Sequence, residues 1–160
     1  MTEHPVTPAV RLLREKHISF VPHLYVYEEH GGTKHSAAAL HVDEHAVIKT
    51  LVMETDGHKQ IIVLMHGDRE VSTKQLSRFL NVKHVQPCDE TTARKHTGYQ
   101  FGGTSPLGTR THLPVYAEST IFSLPRIFIN GGKRGFLLEL NPTSLQSAMP
   151  IQLVSVSRED

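Results

Sequence analysis

Apolar positions in this chain are densest at Val47-Ile48-Lys49-Thr50-Leu51-Val52-Met53, where six of the seven residues suit a strand buried on both faces. Side chains alternate along a strand, so Lys49 shares one face with Val47, Leu51 and Met53, and Ile48, Thr50 and Val52 take the other. A charge in such a run must either reach water along its own stem or meet an anion. Asp56-Gly57 is a two-residue turn signal between Val47–Glu54 and Gln60–His66, which predicts an antiparallel hairpin.

The remaining pattern alternates helical and extended signals. Thr7-Pro8 caps a helix that runs to about Lys16, and Ile18 to Tyr27 is β-branched and aromatic, with His23, Tyr25 and Tyr27 on one face of a predicted strand. Gly31-Gly32-Thr33 breaks the chain before a small-residue helix from Ser36 to His41, and Asp43 caps a further turn. Ser72 with Gln75 forms a capping-box pattern for a helix that turns Leu76, Phe79 and Leu80 to the core and closes at Asn81. Val82 to Pro87 reads as a strand, and Asp89 to His96 as a helix ended by Gly98. Val115 to Ala117, Arg126 to Asn130 and Phe136 to Leu140 read as strands; Asn141-Pro142 opens a helix to about Met149, and Ile151 to Val156 predicts an edge strand.

At 160 residues with no Pro/Gly/Ser linker, the expectation is one domain over 1–160 with a core of its own. No apolar run is long enough for a membrane span, and Met1-Thr2-Glu3-His4-Pro5 lacks the character of a signal peptide, so a cytoplasmic protein is expected. The single cysteine, Cys88, excludes an internal disulfide and fits a reducing compartment. With 17 Lys and Arg against 16 Asp and Glu, any RNA contact must be a local patch.

Of the 12 histidines, His41 and His45 stand at helical i, i+4 spacing, yet neither HExxH nor a Cys/His zinc pattern is present, so no metal is expected. Cys88 stands just before a predicted helix cap, where a thiol can become more acidic, but no histidine in the local sequence is placed as its base. Gly98-Tyr99-Gln100-Phe101-Gly102-Gly103-Thr104-Ser105-Pro106-Leu107-Gly108 is a tight loop whose N–H groups can meet an anion or oxyanion, and it is not a Walker loop. Asn130-Gly131-Gly132-Lys133-Arg134-Gly135 reads as a turn with two adjacent cations, either a solvated hairpin tip or a phosphate contact.

Taken with the opening Thr7-Pro8-Ala9-Val10-Arg11-Leu12-Leu13, the Lys49 strand, the Gly98–Gly108 loop and the Gly131–Gly135 turn resemble, in order and spacing, the YbaK/ProX family of trans-editing aminoacyl-tRNA deacylases. The resemblance implies a mixed α/β fold with a curved, largely antiparallel central sheet surrounded by helices, and a cytosolic enzyme that hydrolyses mischarged tRNA without a cofactor. It makes Lys49 the essential lysine and Gly102, Gly103, Thr104, Ser105 and Pro106 the GxxxP loop. Tyr25 and Thr50 match pocket positions, and Asn130, Gly131, Gly132, Lys133 and Arg134 complete the substrate-binding set.

The expected substrate is Cys-tRNA(Pro), with prolyl-tRNA synthetase as a conditional partner. Asn130 replaces the serine usual in cysteine-specific members, and Leu137 replaces an acidic residue sometimes seen there, which leaves the amino acid open, alanine included. An aminoacyl ester is already activated, so positioning and a place for the oxyanion suffice, and the thiol of a cysteinyl substrate could itself attack the carbonyl. The rival reading is a non-catalytic module that binds aminoacyl-tRNA or a synthetase through the same pocket.

Overall fold

The computed structural model describes residues 3–158; Met1, Thr2, Glu159 and Asp160, part of the expected unit 1–160, lie outside the described residues. Thr7 caps α1 (Pro8–Glu15) by accepting from the Val10 N–H, as its Thr-Pro signal predicts. β1 (Val21–Leu24) is shorter than the expected Ile18–Tyr27 strand, although the Tyr25 N–H still reaches the Gly135 carbonyl at 2.9 Å. α2 (Gly32–Leu40) starts four residues before the predicted Ser36, and His41 ends it in the left-handed region. His45 then belongs to a separate 3₁₀ turn, Glu44–Ala46, so His41 and His45 do not share a helix.

β2 (Ile48–Thr55) and β3 (Gln60–His66) form the predicted antiparallel hairpin, with Lys49 opposite Met65. Their connection is longer than a two-residue turn, because His58 takes a left-handed conformation and the Thr55 N–H bonds the Lys59 carbonyl. α3 (Thr73–Leu80) has the Ser72 cap and Asn81 stop, but Phe79 is exposed, edge-on to Tyr116, rather than in the core. β4 (Val85–Pro87) and α4 (Glu90–Thr97), the latter capped by Asp89 and ended by Gly98, follow. β5 (Val115–Glu118) precedes β6 (Ile127–Lys133), which extends through Gly131 and Gly132; those glycines belong to a bulged strand and not to the turn itself. β7 (Phe136–Leu140), α5 (Pro142–Ala148) and β8 (Gln152–Val154) complete the described chain.

The fold is mixed α/β, with its strands divided between two sheets. A three-stranded antiparallel sheet runs β1-β7-β6, and a five-stranded sheet runs β4-β2-β3-β5-β8, antiparallel around β2 and parallel where β5 meets β3 and β8. The sheets touch where Val47 bridges Phe128. β3 serves both sides: Ile62 and Leu64 pack with Leu13, Ile129, Leu138 and Leu145, while Ile61, Val63 and Met65 pack with Met53 and Leu76. Each such side chain contributes about 1.5–3 kcal/mol when fully buried, so β3 is held firmly and carries β2 with it. No helix among the described residues is long and apolar enough to cross a membrane.

This arrangement leaves part of β2 without a partner strand. β4 covers only Met53 to Thr55, and the Cys88 N–H extends that cover to the Val52 carbonyl at 3.0 Å. Thr50 lies two residues earlier, so its peptide groups point to the same edge, where no strand pairs with it. The open edge lies between the Val47–Phe128 bridge and Cys88.

His66 closes the end of β3. It is 1% exposed, its ring stacks on His45 with centroids 3.7 Å apart, Nδ1 faces the His45 carbonyl and Nε2 faces the Thr120 hydroxyl. These partners suit a neutral ring that donates from Nδ1 and accepts at Nε2. Burial lowers its pKa below the ordinary histidine value; the hydrogen bond to the His45 carbonyl, Asp68 and Glu118 oppose that shift, and the charge of the His45 ring adds to it. The unfolded chain binds that proton more readily, so the stability from neutral His66 is complete above about pH 6.5 and is lost as pH falls toward the folded pKa. Melting curves between pH 8 and 5 should therefore decline in this window, with a slope of up to about 1.4 kcal/mol per pH unit from this one group. His66→Gln should flatten that part of the curve; an identical slope in the variant would remove His66 as its source.

Candidate functional site

A cavity of about 550 Å³ opens along the unpaired edge of β2, in the size range of small-ligand sites. Lys49 and Thr50 line it from β2, Tyr25 and Tyr27 from the chain after β1, His35 and Ser36 from α2, Phe101, Gly102 and Thr104 from the loop after α4, and Asn130, Arg134 and Leu137 from β6 and β7. Five sequence-separated stretches thus meet at one place.

The Lys49 ammonium donates to Glu70 Oε1 at 3.1 Å. The lysine side chain is 17% exposed and the glutamate 64%, so the anion that Lys49 requires is supplied from the solvent side. Thr50 Oγ1 is buried without a hydrogen-bond partner among the described residues, and its peptide groups face the open edge. Lys49 and Thr50 therefore offer a cation, a hydroxyl and free peptide groups along one strand.

The opposite wall is a loop fastened to the β6–β7 connection. Asn130 Nδ2 donates to the Gly102 carbonyl at 3.1 Å, while its Oδ1 accepts from the N–H groups of Gly132 and Lys133 at 2.7 and 3.2 Å. Arg134 Nε donates to the Phe101 carbonyl at 2.8 Å and its guanidinium lies over the Tyr27 ring, 4.9 Å from the centroid. Gly102 has φ +83°, and a Cβ there would sit 2.6 Å from the Tyr27 hydroxyl. Gly103 lies so close to the next turn that a Cβ would meet the Arg134 nitrogen at 2.8 Å. The Gly103 N–H is taken by the Gln100 carbonyl, whereas those of Gly102 and Thr104 donate to no protein group among the described residues.

The site residues expected from sequence divide accordingly. Lys49, Tyr25, Thr50, Gly102, Thr104, Asn130 and Arg134 line the cavity. Ser105 is fully buried outside the lining, where its Oγ accepts from the Leu107 N–H, and Pro106 is buried beside it. Gly131 packs against the Phe136 ring, Gly132 against Tyr99 and Thr7, and Lys133 is exposed at the bulge, so these three support the wall from behind. Asn130 and Arg134 are engaged in holding the loop, which limits what they can offer a ligand.

His35, Phe101 and Cys88 line the cavity without having been placed there by sequence, and Tyr27, which shares a strand face with Tyr25 in the sequence pattern, joins them. The pairing of Arg134 with Tyr27 joins residues far apart in the chain, and no local pattern announces it. Cys88 is buried, and burial raises its thiol pKa, with Glu54 and Asp89 adding to the effect, despite the helix that begins two residues later. Among the described residues no group of three or more His, Cys, Asp or Glu side chains is placed to hold a metal ion.

Residues 29–148 match the model of the aminoacyl-tRNA editing domain. The chain belongs to that family. Over 155 residues the editing-domain chain is 24% identical to EbsC of Enterococcus faecalis, a candidate Cys-tRNA(Pro)/Cys-tRNA(Cys) deacylase, covering 96% of this chain and 94% of that one. It is 30% identical over 107 residues to the proline–tRNA ligase of Streptococcus equi subsp. equi, covering 66% of this chain and only 17% of the ligase. Among solved structures, one described as a candidate trans-editing enzyme for prolyl tRNA synthetase superposes with TM-score 0.82 at 20% identity, over 97% of this chain and 100% of that chain. The hypothetical protein APE2540 superposes with TM-score 0.86 at 19% identity, over 95% and 100%. These two likenesses establish the shared fold.

The loop-to-turn packing of this editing domain has a direct test in stability. Gly103→Ala must separate the loop from the backbone of Lys133 and Arg134, and should cost about 1–3 kcal/mol, typical of overpacking. Gly57→Ala, whose Cβ would find only the Thr55 hydroxyl at 3.8 Å, should change stability little. Denaturant unfolding of both variants checks this; equal, small losses would show that the loop yields freely.

Proposed function

We propose that this editing-domain chain hydrolyses the ester of mischarged aminoacyl-tRNA, with Cys-tRNA(Pro) as the first substrate to test. The observation that carries the reading is the cavity itself, which sets Lys49 and the open edge of β2 against the N–H groups of Gly102 and Thr104. The description of EbsC, a relative of nearly equal length, supports the choice of amino acid and tRNA. The match to segments of proline–tRNA ligases supports prolyl-tRNA synthetase as a partner, and a tRNA substrate supports a cytoplasmic location.

Hydrolysis adds water to the ester carbonyl carbon, collects negative charge on the carbonyl oxygen, and expels the ribose oxygen as a hydroxyl. The Lys49 ammonium and the Gly102 and Thr104 N–H groups are the donors available for that charge. The Lys49–Glu70 pair is half-open to solvent and such pairs contribute only about 0–1 kcal/mol, so the ammonium can exchange its partner for substrate at small cost. Thr50 Oγ1 gains a partner when the aminoacyl end occupies the open edge.

No protein nucleophile is needed. A cysteinyl substrate carries its own: attack of its thiolate on its carbonyl forms a C–S bond, breaks the C–O bond to tRNA and leaves a thiolactone. Cys88, kept in the thiol form by burial and by Glu54 and Asp89, is unsuited to that task. Cys88→Ser should therefore leave the deacylation rate within a few-fold of the parent, and a loss of several orders of magnitude would show that the nucleophile has been misassigned.

The decisive experiment is deacylation of a panel including Cys-tRNA(Pro) and Ala-tRNA(Pro), run beside thermal melting. Lys49→Ala should slow hydrolysis by about a hundredfold, equivalent to about 2.7 kcal/mol, while the protein stays folded. Lys49→Arg should restore little, since a planar guanidinium misplaces the donor. Full activity in Lys49→Ala, or loss only through unfolding, would overturn the role of the lysine. An inactive parent on every substrate would leave a module that binds without catalysis.

A further inference from the structure

A second concavity, of about 330 Å³, lies between α3 and β4 and carries a charge pattern that the cavity mechanism does not use. Lys74 and Arg78 line it from the helix, and Lys83 and His84 from the approach to β4; no carboxylate residue is in the lining. The whole chain has 17 Lys and Arg against 16 Asp and Glu, so this concentration of cations is local. Among the described residues none of Lys74, Arg78 and Lys83 has an ion-pair partner, whereas Lys49 and Arg126 are both paired. The carboxylate nearest in bonding terms, Asp56, accepts from the backbone N–H groups of Lys83 and His84 at 3.1 and 3.4 Å and so fixes the groove's rim.

The groove is tied to the catalytic cavity along both flanks. Glu70, the partner of Lys49, stands two residues before the Ser72 cap of α3, and the groove begins at Thr73 and Lys74 in the first turn of that helix and runs along it to Arg78. On the other side, β4 leads from Val85, in the groove, to Pro87 and Cys88, in the cavity wall. A strand rises about 3.3 Å per residue, so Lys83 and Cys88 are at most about 17 Å apart. No Phe, Tyr or Trp lines the groove and His84 is its one ring, so it offers charge more than a surface on which successive bases could stack.

We propose that this groove binds the phosphate backbone of the tRNA acceptor arm while the aminoacylated 3′ end occupies the cavity. The proposal rests on the deacylase reading for the identity of the RNA. It predicts a contact that is electrostatic and indifferent to sequence, made by flexible cations that release counterions on binding.

The test replaces Lys74, Arg78 and Lys83 together by alanine, all three being exposed. A control removes the same charge from α1 by replacing the exposed Arg11, Arg14 and Lys16. Binding of fluorescently labelled, uncharged tRNA is followed by anisotropy over a salt series, which reads the groove whether or not the protein catalyses. The groove variant should bind at least tenfold more weakly, with its log–log salt slope reduced by about two to three, and the α1 variant should stay near the parent. With Cys-tRNA(Pro) as substrate, the groove variant should show its loss mainly in KM, and the loss should shrink on an aminoacylated oligonucleotide ending in CCA. Equal weakening in both variants, an unchanged salt slope, or equal loss on the short and full substrates would overturn the proposal. Tight, groove-dependent tRNA binding by a parent that deacylates nothing would keep the groove and overturn the enzyme reading instead.

Discussion

A lysine on a strand packed between apolar neighbours must have its charge answered, and in this chain that requirement organises the cavity. Lys49 sits on β2 beside Leu51 and opposite Met65, and among the described residues only Glu70, on the turn into α3, answers it. A carboxylate deep in the core would have locked the pair in place through mutual desolvation. An exposed one holds the ammonium loosely, in an orientation that an incoming anion can take over. The position of the α3 entry turn, fixed by the Val71–Ser157 bridge and the Ser72 cap, therefore matters to the cavity although Glu70 does not line it.

The loop facing Lys49 is held by a different kind of force. Its carbonyls at Phe101 and Gly102 are held by Arg134 and Asn130, its glycines fit against Tyr27 and the β6–β7 turn, and the Tyr27 ring is sandwiched between the loop and the guanidinium. Occupying the carbonyls in this way leaves N–H groups of that wall, those of Gly102 and Thr104 among them, without a partner among the described residues. A donor fixed before substrate arrives needs no reorganisation when charge develops, which is where such donors gain their effect.

Much of this was legible in the residues. The caps at Thr7, Ser72, Asp89 and Asn141 announced their helices because each is a local contact between neighbours in sequence. Lys49 and the Gly102-Gly103 loop announced the site because each breaks a local rule. The split into two sheets, the parallel entry of β5 beside β3, and the open edge at Thr50 were not legible, since strand order is set by contacts distant in sequence. The bonding of Ser105 and Asn130 was not legible for the same reason. A hydroxyl or amide beside a glycine reads as available, and only the fold shows Ser105 turned to the Leu107 N–H and Asn130 engaged on three sides.

The make-up of the cavity also bears on which aminoacyl group it suits. Tyr25, Val47 and Leu137 pack into one apolar cluster along its wall, and burial there raises the pKa of the Tyr25 hydroxyl and keeps it neutral. Leu137, at 4% exposure, puts hydrocarbon where a carboxylate would have drawn a cationic group. Cys88 adds a neutral thiol and Thr50 an unpartnered hydroxyl to this wall, while the charged groups of the lining, Lys49, Arg134, Glu28, Glu29 and Glu90, stand outside the apolar cluster. Desolvating a charged side chain against such a wall is costly, while a small neutral one loses nothing. Cysteine and alanine both pass that filter, and one methylene or sulfur of difference between them is worth only about 1–3 kcal/mol in a pocket of this kind. Discrimination beyond that must come from chemistry that one substrate has and the other lacks, and the thiol of cysteine, able to attack its own ester, is such a difference.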